Sequence, residues 1–79
     1  MAIRLKVKNA EMGKELTLEI SPDETVEDVI NSAAEFWNKD SGAYIIRRGK
    51  QILQGSMKIS EIGVLDGDVV ELIPDPEGG

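Results

Sequence analysis

Apolar and polar residues alternate in two runs within the first twenty residues of this chain, and a helical period takes over after them. Ile3, Leu5 and Val7 are separated by Arg4, Lys6 and Lys8. That period of two belongs to a strand with one buried face. Leu16, Leu18 and Ile20 alternate in the same way with Glu15, Thr17 and Glu19. The link from Asn9 to Lys14 carries Gly13 as a turn former, so the pair reads as a hairpin. Ser21-Pro22-Asp23-Glu24 breaks the alternation. Thr25 is the predicted helix N-cap, its hydroxyl placed to accept from the Asp28 amide, with Glu27 and Asp28 at the positive end of the helix dipole. Asp28 in the fourth position is a weaker form of the usual capping box. Val26, Val29, Ile30, Ala33 and Trp37 then recur at helical spacing, which predicts a helix from about Val26 to Asn38.

Beyond the loop ending at Ser41-Gly42, Tyr44 to Arg48 predicts a short strand. Gly49-Lys50 turns it into a second one, Gln51-Ile52-Leu53. Met57 to Val64 holds Ile59, Ile62 and Val64, a short helical turn closed by Gly63. Leu65-Asp66-Gly67-Asp68 is a turn, and Val69 to Ile73 is the last strand. Pro74 and Pro76 remove backbone donors, so residues 74–79 are expected as a free tail after a domain of residues 1–73. Each strand has one apolar side. The order therefore predicts an α+β fold, a mixed five-stranded sheet packed on one helix.

Composition narrows the picture. The 79 residues suit one small domain. One Phe, one Trp and one Tyr leave an aliphatic core, with Phe36 or Trp37 as the large filler. The absence of Cys excludes disulfides and cysteine-ligated zinc. Met1-Ala2-Ile3-Arg4 does not read as a signal peptide, and no run approaches the roughly 20 apolar residues of a membrane span. A cytoplasmic protein with no membrane partner is expected. The net charge of −6 argues against nucleic acid. The basic residues gather in two segments, Arg4, Lys6 and Lys8, and Arg47, Arg48 and Lys50.

With neither Cys nor His, the commonest nucleophile and the commonest neutral-pH base are both missing, and no enzyme is expected. Asp23, Glu24, Glu27 and Asp28 read as solvated caps. Asp66-Gly67-Asp68 lacks the remaining ligand positions of a calcium loop, so no metal site is expected.

Across essentially the whole length these residues resemble the ubiquitin family. Met1-x-Ile3 opens the first strand, Leu16-Thr17-Leu18-Glu19 forms the second, and Thr25-Val26-Glu27 begins the helix. Gly49-Lys50-Gln51 follows the third strand, and Gly78-Gly79 stands last. The resemblance implies a ubiquitin-like β-grasp fold, a monomer, and a diglycine as the reactive group. It implies an activating enzyme that adenylates the Gly79 carboxylate with ATP; no other cofactor is expected. The acyl adenylate would pass either to an enzyme cysteine and on to target lysines, or to sulfide as a thiocarboxylate for sulfur-acceptor enzymes. A third role open to the fold is a non-covalent interaction module.

The resemblance also implies a partner-binding patch. By strand parity Ile45 is expected to point inward and Ile46 out. Val70 and Leu72 point in, and Glu71 and Ile73 point out. Ile46 and Ile73 match the family's two central apolar positions, with Tyr44, Lys6, Arg48 and Glu71 around them. Lys50 matches a chain-forming lysine and is a candidate acceptor. Departures are the longer Asn9–Lys14 loop, Glu71 in place of a functional histidine, Asp75 and Glu77 in place of arginines, and Pro74 and Pro76 before each of them. They point to a divergent member, archaeal or bacterial, with an activating enzyme of its own.

Overall fold

The alternating segments become strands that pair in an order the chain does not follow. The computed structural model describes residues 2–77. It contains β1 (Ile3–Asn9), β2 (Lys14–Ile20), α1 (Val26–Phe36), a 3-10 turn (Ser41–Ala43), β3 (Tyr44–Arg48), β4 (Gln51–Leu53), α2 (Ile59–Ile62) and β5 (Val69–Pro74). The sheet order is β2-β1-β5-β3-β4. β5 runs parallel to β1 and antiparallel to β3, so the last strand joins the two hairpins. Inward residues of four strands, Leu5, Val7, Val70, Leu72, Ile46 and Leu53, meet Val26, Val29, Ile30 and Ala33 of α1.

Helix α1 starts where the sequence places it. Thr25 Oγ1 accepts from Asp28 N at 3.2 Å, and Asp28 Oδ2 accepts from Thr25 N at 3.0 Å, a complete capping box. The other two free amides of the first turn find carbonyls on the loop before α2: Val26 N donates to Met57 O (2.9 Å) and Glu27 N to Gly55 O (3.0 Å). The helix stops at Phe36 rather than near Asn38. Asn38 takes φ +56°, its amide donates to Glu35 O, and the Lys39 amide donates to Ala34 O. This is a Schellman motif with Asn in the usual glycine place. Trp37, at the cap, packs half-buried on the core. Phe36 is 63% exposed and meets the Trp37 ring edge-on at 5.7 Å.

Strand β5 runs one residue further than expected. Pro74 pairs with Tyr44, and Asp75 N donates to Ala43 O at 2.8 Å. Antiparallel rungs alternate, so Pro74 occupies a position whose amide would point away from β3. On that side the register with β1 has ended at Asn9–Leu72, so the missing donor costs nothing. Asn9 itself is buried. Its Oδ1 accepts from the Glu11 and Met12 amides at 3.0 and 3.1 Å and shapes the β1–β2 loop, while its Nδ2 has no partner among the described residues.

Three outcomes test this packing. Ile46 is 1% exposed, so Ile46→Ala is expected to cost about 2–5 kcal/mol in urea unfolding, against less than half of that for half-buried Ile45→Ala. Equal costs would contradict the register. Thr25→Ala is expected to lose about 1 kcal/mol with the cap; an unchanged urea midpoint would mean the helix starts elsewhere. Asp66 accepts from the Arg4 amide at 2.7 Å and from its guanidinium at 3.2 Å, contacts that hold its carboxyl below the usual carboxylate range. A depressed folded pKa gives stability above the unfolded value that is lost as pH falls through the folded one. Asp66→Asn is therefore expected to flatten the acid limb of the stability profile, measured by urea midpoints across acidic pH at low salt.

Candidate functional site

The sheet face away from α1 is set by register. Directly opposed residues share a side, and the buried residues fix which side is inward. One row crosses all five strands on the outer side: Ile52, Arg47, Glu71, Lys8 and Glu15. Ile45 and Ile73 form the row on one side of it. Val69, Lys6 and Thr17 form the row on the other.

Three members of the expected patch lie elsewhere. Ile46 pairs with the inward residues Leu53 and Leu72 and belongs to the core. Tyr44 has the same parity; it packs half-buried against the core, and its hydroxyl donates to Glu11 Oε1 at 2.6 Å. That carboxylate raises the tyrosine above its ordinary pKa. Arg48 also follows Ile46. Its guanidinium donates to Ile62 O at 2.7 Å and to Asp68 Oδ2 at 3.2 Å, pinning α2 to the turn before β5. A one-residue slip in parity moves a whole set of side chains together. The expectation put Ile45 inward and Ile46 outward, whereas the turn dictates the opposite. Gly49, at φ +61°, and Lys50 form a two-residue turn, so Arg48 faces Gln51, Arg47 faces Ile52 and Ile46 faces Leu53. That count was available in the sequence.

Lys6, Glu71 and Ile73 are on the outer face with Ile45, Arg47, Ile52, Val69 and Lys8, which sequence reasoning left out. Ile45 and Ile73 are half-buried, while Ile52 and Val69 are exposed. The centre is charged rather than apolar. Arg47 Nε and Nη2 donate to Glu71 Oε1 at 3.3 and 3.1 Å, a cross-strand pair of the kind that contributes about 0.2–1 kcal/mol. Arg4, Lys6, Lys8 and Arg47 are matched by Glu15, Glu19, Glu71 and Asp66 on and beside this face. The formal charge of −6 therefore resides on the rest of the molecule. The face thus consists of apolar residues divided by a balanced row of charge.

Lys50 is exposed at its turn. Gly78 and Gly79 lie outside the described residues. The carboxylates noted in the sequence serve the fold: Asp28 caps α1, Glu24 Oε2 accepts from Ser21 N at 2.7 Å, Asp66 holds Arg4, and Asp68 Oδ2 accepts from Leu65 N at 3.0 Å. Among the described residues no group of three or more Asp or Glu gathers to hold a metal ion. No helix among them is long and apolar enough to cross a membrane.

No protein-family model matches this sequence, and no curated protein matches it. Solved structures do. The UBL domain of Dsk2 from Plasmodium falciparum superposes with a TM-score of 0.86 at 32% identity, over 95% of this chain and 100% of that one. The ubiquitin of Caldiarchaeum subterraneum superposes with a TM-score of 0.88 at 25% identity, over 100% of both chains. The mixed sheet on one helix and the 32% identity across the whole Dsk2 domain place this chain in the ubiquitin-like, β-grasp family.

Proposed function

We propose that this chain is a ubiquitin-like protein modifier, conjugated to target lysines through Gly79 and recognised by partner proteins at the outer face of its sheet. The observation that carries the reading is a diglycine three residues after β5, on a domain that aligns end to end with an archaeal ubiquitin. The diglycine serves as a free end or after exposure by cleavage. The Gly79 carboxylate attacks the α-phosphorus of ATP, forming an acyl adenylate and releasing pyrophosphate. An enzyme thiol takes the acyl group and releases AMP. A lysine amine then attacks the thioester, forms the isopeptide bond and frees the thiol. Glycine suits this passage because it lacks a Cβ, so an enzyme channel can close on the backbone. The chain itself supplies no catalytic group in this reading. Its partners are the activating enzyme and the target proteins, and the cytoplasm is the compartment that fits.

A second reading is favoured by the Dsk2 likeness, since that relative is a UBL domain. Here the chain is a non-covalent interaction module using the same sheet face. Deleting Gly79 separates the two. The deletion is expected to leave the melting temperature unchanged and to abolish ATP–pyrophosphate exchange with the cognate activating enzyme. Undiminished exchange after the deletion would sink the modifier reading. Intact-mass analysis from the native cell distinguishes the carrier chemistries: adducts on target lysines support conjugation, whereas a gain of about 16 Da, oxygen replaced by sulfur, would mean a thiocarboxylate carrier instead.

A further inference from the structure

Residues 75–77, which follow β5, are held by two hydrogen bonds, and Asp75 takes part in both. Asp75 is the only residue between Pro74 and Pro76 with a backbone amide to give, and it gives it to Ala43 O at 2.8 Å. That carbonyl sits at the end of the 3-10 turn. The turn is itself fixed by Asp40, whose Oδ1 accepts from Gly42 N at 3.0 Å and whose carbonyl accepts from Ala43 N at 3.0 Å. Asp75 is half-buried against this corner. Its Oδ1 accepts from Glu77 N at 2.9 Å, closing an Asx turn around Pro76, whose ring presets the φ such a turn requires.

We propose that Asp75 is a positioning residue for residues 75–77, a latch that holds them in a turn at the domain edge and that must open before the diglycine beyond them can extend into a partner's channel. The inference rests on the modifier reading and names the element of this chain that controls access to its reactive end. The gain in reach is small, because the same four residues follow the Asp75–Ala43 rung in either state, about 13 Å when extended. What the Asp75–Glu77 bond fixes is direction: it bends the chain at Pro76, and a straight channel needs that bend removed. A competent state populated only in part weakens apparent binding by that fraction. One exposed hydrogen bond corresponds to about three- to tenfold.

Three substitutions distinguish the latch from simple charge. Asp75→Asn removes the charge and keeps a side-chain carbonyl for the Glu77 amide. Asp75→Glu keeps the charge and moves the carboxylate one methylene too far for the turn. Asp75→Ala removes both. Amide hydrogen exchange, read by NMR on the full chain, is expected to be about three- to tenfold faster at Glu77 in D75A and D75E and unchanged in D75N. The Asp75 amide itself stays protected in all three, and the melting temperature does not move. In ATP–pyrophosphate exchange, D75A and D75E are expected to lower the KM for this chain about three- to tenfold at constant kcat, with D75N matching wild type. Equal Glu77 exchange in wild type and D75A would overturn the latch. Faster Glu77 exchange with an unmoved KM would overturn its control of access. If D75N follows D75A in the kinetics, charge and not the turn is responsible, which also overturns it. An absence of pyrophosphate exchange even from wild type would count against the modifier reading and against access control, while the amide-exchange result still decides whether the latch exists.

Discussion

The whole arrangement depends on the side chosen by Leu72. This residue has no exposed surface, and its strand is bonded on both sides, facing Asn9 in β1 and Ile46 in β3. Once Leu72 points at the helix, the parity of three strands follows, and through Val7–Leu16 and Ile46–Leu53 so does that of the other two. The outer surface is the complement of that choice. Ile45, Arg47, Glu71 and Ile73 face outward because Ile46 and Leu72 are needed inside. The outer face and the core are two readings of a single register, and neither can be altered alone.

The helix is fixed to this sheet by more than apolar contact. Its first three amides are taken by Met57 O, Gly55 O and the Thr25 hydroxyl. In return the Ile59 and Ser60 amides at the start of α2 donate to Glu24 O and Pro22 O, at 2.8 and 3.0 Å. The loops before α1 and α2 thus exchange bonds in both directions, and neither helix start is left with orphan donors. Arg48 closes the same side from the sheet through Ile62 O and Asp68. A chain with so few aromatic residues gains definition from these polar ties, which set where each short element begins.

The fold class, the elements and the capping box were legible because each rests on local rules: a period of two or 3.6, a Thr three residues before an acid, glycines at turns. What was not legible came from neighbours in space. Asn38 continued a polar helix end as well as it ended one, and only its left-handed backbone settles the matter. Pro74 read as a strand breaker because its tolerance depends on β1 having already ended beside it. Tyr44, Ile46 and Arg48 went astray together because two adjacent isoleucines carry no mark of which is inward. Counting from the Gly49-Lys50 turn supplies that mark, and likeness to a family did not. The outward residues Lys6, Glu71 and Ile73 were found because their strands alternate cleanly.

The first and last strands lie side by side and point the same way. The chain therefore begins at one edge of that strand pair and leaves at the other. Tension between the two ends runs along the strands instead of across them. Parallel rungs are evenly spaced and slanted along the strand direction, so such a load falls on all of them at once, in shear, rather than opening them one after another. A machine hauling on the C-terminal side would have to break the β1–β5 seam as a unit before the domain gave any length, and that makes the same seam that completes the fold its mechanical lock.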